Sequence, residues 1–148
     1  MALTQSSRRE ALSFAKAMSE KNLLQVTPWL LARDVVGMVR FFVEVLGFRA
    51  WVQDESYAYV SRDDAAVRIG KLSEGADGAE ERVEWGARAW LFYIDVRDVD
   101  ALVAELRPKL KAAGLDGGKG PKDQSWGKRE FWAPLPGGGY VVFGQEIP

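Results

Sequence analysis

A short motif occurs twice in this chain, and its spacing constrains the fold more than any other feature. Arg33-Asp34-Val35 and Arg97-Asp98-Val99 lie 64 residues apart, after the apolar runs 26–32 and 90–96. Each is followed by an amphipathic stretch that closes at a glycine, Gly47 or Gly114. An Asp in this position caps a helix by accepting its orphan backbone N–H groups, and the glycine supplies the left-handed C-cap. Strand-like segments follow both helices: 50–53, 57–61 and 65–71 after the first, 130–133 and 140–145 after the second. Turns are expected at Arg62-Asp63-Asp64 and at 136–139. The chain therefore reads as an α+β fold of two tandem β-α-β-β-β modules, about residues 25–72 and 86–148. Neither unit of about 60 residues can bury its helix and sheet faces alone, so the copies should pair about a pseudo-twofold axis.

Residues 1–24 precede the repeat as an N-terminal helical extension, and 25–148 are expected to form a single domain. Ser7-Arg8-Arg9-Glu10 has capping-box spacing, and Ala11, Phe14, Ala15 and Met18 make a narrow apolar stripe that ends by Asn22. Such a stripe has to pack on its own domain or on a partner subunit. Pro108 falls within the second helix and is expected to kink or shorten it. The segment 72–84 is polar and Gly-containing and reads as a linking loop, and 117–122 as a flexible basic loop. The latter lacks the strand, Lys-Ser/Thr and helix order of a phosphate loop.

The chain of 148 residues contains no histidine and no cysteine. That composition excludes a Ser-His-Asp triad, an imidazole base, a thiolate nucleophile and His-ligated zinc or iron. Carboxylates and carbonyls alone suit magnesium or calcium. Twenty basic residues against 21 acidic ones give a net charge of −1, so no overall basic field invites nucleic acid. No signal-peptide core or apolar membrane span is visible, and a cytoplasmic protein without membrane contact is expected.

Leu31-Ala32-Arg33-Asp34-Val35 with Phe41-Phe42 and Leu46-Gly47-Phe48 resembles the opening of the vicinal-oxygen-chelate superfamily. Asp123-Gln124-Ser125-Trp126-Gly127-Lys128-Arg129-Glu130-Phe131 resembles the late Gln-x-Trp-Gly-x-Arg-Glu-Phe motif of its bleomycin resistance branch. The similarity spans about residues 25–146 and implies the glyoxalase/bleomycin resistance fold. It also implies a homodimer whose grooves sequester a flat small-molecule ligand without metal or cofactor. The metal-ligand positions of the superfamily's enzymes fall near Thr27, Arg68, Leu91 and Val142. Of these, Arg68 repels cations, and leucine and valine side chains carry no donor atom.

The resemblance makes Trp126, with Gly127 beside it, the stacking platform for the ligand, and Tyr57 a second groove aromatic. Trp51, Tyr59 and Trp85 are further ligand-binding candidates. Strand alternation puts Thr27, Trp29 and Leu31 on one face of the first strand and Leu91, Tyr93 and Asp95 on the matching face of its partner. The resemblance, which implies a curled mixed sheet, makes these the cup-facing set, joined by Ala66, Arg68 and Gly70. Span 54–82 holds eight acids against four bases and is able to steer a cation. Arg68 points the other way: a desolvated guanidinium wants a carboxylate, supplied either by Asp95 across the cup or by a bound anion. The sequence thus favours a binding protein for bleomycin-type antibiotics or a related flat aromatic ligand. The alternative is a metal-free enzyme of the same superfamily acting on an anionic metabolite through Arg68 and Asp95.

Overall fold

The computed structural model describes residues 4–19, 22–72 and 90–148. Helix α1 (Gln5–Ser19) is followed by β1 (Trp29–Ala32), α2 (Val35–Glu44), β2 (Arg49–Gln53), β3 (Tyr57–Arg62) and β4 (Ala65–Lys71). The second module repeats that order with β5 (Trp90–Asp95), α3 (Val99–Ala112), β6 (Lys119–Asp123), β7 (Lys128–Pro134) and β8 (Tyr140–Glu146). Each module has its own four-stranded mixed sheet, ordered β1-β4-β3-β2 and β5-β8-β7-β6. In both, the first strand runs parallel to the last and the other neighbours are antiparallel.

The repeated motif does in both places what its chemistry requires. Asp34 accepts from the Gly37 N–H at 2.9 Å and Asp98 from the Ala101 N–H at 2.9 Å, capping α2 and α3. The Val99 N–H, another orphan of α3, donates to Gln145 Oε1 at 2.8 Å. Both helices lay their apolar faces on the sheets. Phe42, Leu46, Ile69, Leu106, Leu110, Phe131 and Val141 are fully buried in one cluster that both modules share. Arg62 at the end of β3 ties the modules further, donating to Glu105 of α3 at 2.8 and 3.1 Å and to the Leu46 carbonyl at 2.8 Å.

Five local expectations change or narrow. Helix α1 starts earlier than a cap at Ser7 allows, because the Thr4 hydroxyl accepts from the Ser7 N–H at 3.1 Å and takes the cap role. Phe14 of the apolar stripe is 69% exposed, so the stripe does not pack on the domain through it. Helix α3 runs through Pro108 to Ala112 rather than breaking there. The basic stretch expected as a loop is edge strand β6, pairing with β7 and held by Arg107 of α3 through the Gly117 and Gly120 carbonyls. Its Lys, Gly and Pro disguise a strand, and such residues are tolerated on a sheet edge, where one side makes no ladder. The first strand is also shorter than the apolar run, beginning at Trp29 after Pro28.

Candidate functional site

Burial alternates along the strands of the first module and so fixes which side chains remain outside. Leu30, Ala32, Ala58, Val60, Val67 and Ile69 face α2 and are buried. Their neighbours Trp29, Leu31, Tyr57, Tyr59, Ser61, Ala66 and Arg68 take the opposite, open face. A bulge in β2 breaks the alternation. Val52 opposes Tyr59, and the extra residue, Trp51, donates its indole N–H to the Ser61 hydroxyl at 2.7 Å. Arg49 lies 3.9 Å over the Trp51 ring. Trp29 lies across Gly70, where a Cβ would meet the indole nitrogen at 2.5 Å, and its ring packs 5.7 Å from that of Tyr57. Tyr57 is set by the β2–β3 turn. Asp54 accepts there from the Ser56 N–H, the Ser56 hydroxyl and the Tyr57 N–H, and these bonds hold its carboxyl below the usual carboxylate range.

Arg68 sits in the middle of this floor. Its Nε donates to Thr27 Oγ1 at 3.0 Å, one Nη donates to the Tyr57 hydroxyl, and the guanidinium lies 5.0 Å from the Tyr59 ring centre.

The strand registers place the second module's residues at equivalent positions. Trp29 opposes Arg68 as Tyr93 opposes Val142, and Tyr57 opposes Gly70 as Glu130 opposes Gly144. The Gln124-Ser125-Trp126-Gly127 motif is the hairpin turn between β6 and β7. The Gly127 N–H donates to the Gln124 carbonyl at 3.2 Å, and Gln124 N–H to the Lys128 carbonyl at 2.7 Å. Gly127 takes φ 82, the left-handed residue that a type I turn with a bulge needs. The turn holds Trp126 at its tip, 64% exposed, with the indole N–H donating to Glu130 at 3.1 Å. Glu130 is 5% exposed, and its second oxygen accepts from the Trp132 indole at 3.4 Å. Trp132 in turn packs 5.8 Å from Tyr140. Tyr93 covers Gly144, and its buried hydroxyl makes no hydrogen bond of normal geometry. Burial first, then the Glu130 carboxylate beside it, pushes that hydroxyl up to about 12. Arg129 of the same motif points elsewhere, to Asp100 and Asp123.

The structure thus gathers Trp29, Trp51, Tyr57, Tyr59 and Arg68 on one open face, and Trp126, Tyr93 and the Lys128–Asp95 pair on the other. It does not join Arg68 to Asp95. Asp95 is bound by Lys128 at 3.0 Å, while Arg68 is held by neutral partners of its own module. Strand parity puts both on open faces, but they belong to separate sheets and hold different partners. Trp85 lies outside the described residues. Asp54, expected among the steering acids, is engaged in its turn.

Glu130 and Trp132 were missed as site residues. The signal for them was the same two-residue period from Lys128 that marks every other open-face position. A cleft of about 830 Å³ runs along the joint of the modules and takes in Arg62, Asp64, Tyr93, Asp95 and Glu105. It includes none of Trp126, Tyr57 or Arg68, so the exposed aromatic floors are the better candidate surface for a flat ligand.

The residues at the superfamily's metal positions do not fit a cation. Arg68 points its guanidinium at Thr27 Oγ1, and Val142 offers no donor. Among the described residues no three Asp or Glu side chains gather in a way that would hold a metal ion. Among those residues no helix is long and apolar enough to cross a membrane.

Among solved structures, the chain is similar to the bleomycin-binding protein of bleomycin-producing Streptomyces verticillus, complexed with copper(II)-bleomycin. The two are 28% identical with a TM-score of 0.65, over 83% of this chain and 96% of that one. An antibiotic binding protein from Streptomyces sp. CB03234 matches at 19% identity and TM-score 0.60, over 86% of this chain and all of its own. A glyoxalase-related enzyme from Clostridium phytofermentans matches at 18% and 0.63, over 86% and 98%. These last two share the fold. No curated protein matches the chain. A family model covers residues 23–141, from just before β1 into β8, and with it the duplicated β-α-β-β-β architecture has its place: the chain belongs to the Glyoxalase/Bleomycin resistance protein/Dioxygenase superfamily.

Proposed function

We propose that the protein is a metal-independent binding protein for a flat aromatic small molecule of the bleomycin-type antibiotic class, acting by sequestration as a homodimer. The observation that carries this is Trp126. Its ring is largely exposed, yet its indole N–H is tied to a buried carboxylate, so the plane is fixed before a ligand arrives. A pre-set platform lowers the ordering cost of binding, and offset stacking adds about 0.5–1.5 kcal/mol beyond area burial. The similarity to a bleomycin-binding protein supports the same ligand class. Support for the second copy comes from Trp29, Leu31, Trp51, Val52 and Trp126, all exposed on the open faces, since apolar floors of this kind rarely stay bare. The metal-free enzyme reading asks for Asp95 in a dry cup, and Asp95 is instead exposed and paired with Lys128.

Tryptophan-fluorescence titration with metal-free bleomycin tests the proposal. Saturable quenching at sub-micromolar concentration is expected, weakened about thirtyfold or more in Trp126→Ala, as for a central aromatic anchor. No quenching up to high micromolar concentration rejects the bleomycin-type ligand.

A further inference from the structure

We infer that Arg68 is an oxyanion receptor in the floor of the first module, and that the ligand this face takes is a planar aromatic carboxylate. The inference goes beyond the binding reading above, giving the first module's face an anionic ligand of its own apart from the Trp126 platform.

The geometry of Arg68 is that of a fixed and half-used fork. It comes from β4, an inner strand, so the backbone beneath it is held on both sides by β1 and β3. Nε is bound by the Thr27 hydroxyl and one Nη by the Tyr57 hydroxyl, which locks the guanidinium plane over the Tyr59 ring. A guanidinium carries five N–H donors. Two are engaged here by neutral oxygens, and among the described residues no carboxylate reaches the others. The remaining arginines of known pairing behave differently. Arg62 engages a carboxylate with two nitrogens and Arg129 engages carboxylates with three, and Arg107 takes two backbone carbonyls.

A partly buried cation without a counter-charge is unfavourable, and the anion that best matches its flat donor edge is a carboxylate accepting two parallel N–H bonds. The surroundings specify the rest of the ligand. Trp29, Tyr57 and Tyr59 flank the fork with flat apolar rings, and Trp51 and Val52 extend that floor along β2. An aromatic ring bearing the carboxylate would lie against them while its oxygens meet the free donors. The second module makes no such offer: Val142 stands where Arg68 stands, and the Glu130 carboxylate there already takes two indole N–H groups.

Isothermal titration calorimetry on the full chain with 2-naphthoate and 2-naphthamide separates charge from shape, because the two probes share a ring system. The native protein is expected to bind the naphthoate about tenfold or more tightly than the amide, the range of a charge-assisted hydrogen-bond pair. Arg68→Gln should bring the ratio close to one. Arg68→Lys, which keeps the charge and loses the fork, should fall between. Equal affinities in the native protein overturn the inference while leaving an aromatic-binding face in place. A naphthoate preference that persists in Arg68→Gln also overturns it, since the anion is then bound elsewhere. Binding of neither probe overturns the inference and leaves the Trp126 platform to be decided by its own titration.

Discussion

The two open faces are built on the same backbone and hold opposite charges. On the first, a guanidinium lies among tyrosine and threonine hydroxyls with donors to spare. On the second, a carboxylate lies beneath two tryptophans and has both oxygens engaged. The strand registers coincide, so the difference does not come from topology. It comes from where each module places its charge: Arg68 on the strand next to the first, Glu130 one strand further out. Duplication thus fixes the positions that look outward, and the side chains there set whether a face waits for a partner charge or uses its own charge to orient an aromatic ring. On the proposed readings the first face is a receptor and the second a platform.

Glycines at matching positions give the strongest way to break that comparison. A Cβ on Gly144 would meet the Tyr93 hydroxyl at 1.5 Å, and a Cβ on Gly70 would meet the Trp29 indole nitrogen at 2.5 Å. Tyr93 has its hydroxyl buried and little freedom to move, whereas Trp29 is 59% exposed and can swing outward. Gly144→Ala is therefore expected to destabilise by about 2–3 kcal/mol and Gly70→Ala by less than about 1, the range for overpacked and relaxed sites. Urea denaturation measures both. Equal losses would mean that the second face is as pliable as the first.

Much of this was readable in the sequence, and what was not has a physical cause. The twin Arg-Asp-Val motifs gave both helix caps, because an Asp before an apolar period is satisfied only by the N–H groups of a new helix. Alternation put Trp29, Arg68 and Tyr93 on the open side correctly. What alternation does not carry is the relation between sheets, and the expected Arg68–Asp95 pair failed there. Strand β6 was unreadable because an edge strand with Lys, Gly and Pro has the composition of a turn. Glu130 was hidden by its motif, where Trp126 draws attention and the carboxylate two strand positions from Lys128 looks like a solvated charge.

The joint between the modules offers a smaller test. Arg62 is about 30% exposed and Glu105 about 36%, so solvent screens their paired bonds, and Arg62→Ala is expected to cost about 1–2 kcal/mol. The Arg62 hydrogen bond holds Glu105 below its ordinary value near 4.5. A carboxyl depressed in the folded state stabilises above its unfolded pKa and loses that contribution as pH falls through its folded one. The native protein should therefore lose stability below about pH 4.5 more steeply than Arg62→Ala. Because both modules share one core, each should unfold in a single transition seen alike by tryptophan fluorescence and circular dichroism. Two separated transitions would make the faces properties of independent modules.

The finest distinction concerns two tyrosines, one from each face. Tyr57 accepts from Arg68, while the Tyr93 hydroxyl is buried without a partner. Removing the hydroxyl of Tyr57 strips a guanidinium of one acceptor, so Tyr57→Phe should destabilise by about 1 kcal/mol. Tyr93→Phe should leave stability at pH 7 unchanged or slightly raised, since a buried hydroxyl without a hydrogen bond is itself a cost. At alkaline pH the order changes. Tyr93 ionises near 12 in the folded state against an ordinary value of 10.0, so between those limits the unfolded chain releases a proton that the folded chain keeps. Stability must then fall as pH rises through that window, and Tyr93→Phe should flatten the fall. Denaturation midpoints at pH 9, 10.5 and 11.5 read this directly. An unchanged slope in the variant would show that the Tyr93 hydroxyl is solvated, and that the second face is less closed than its burial requires.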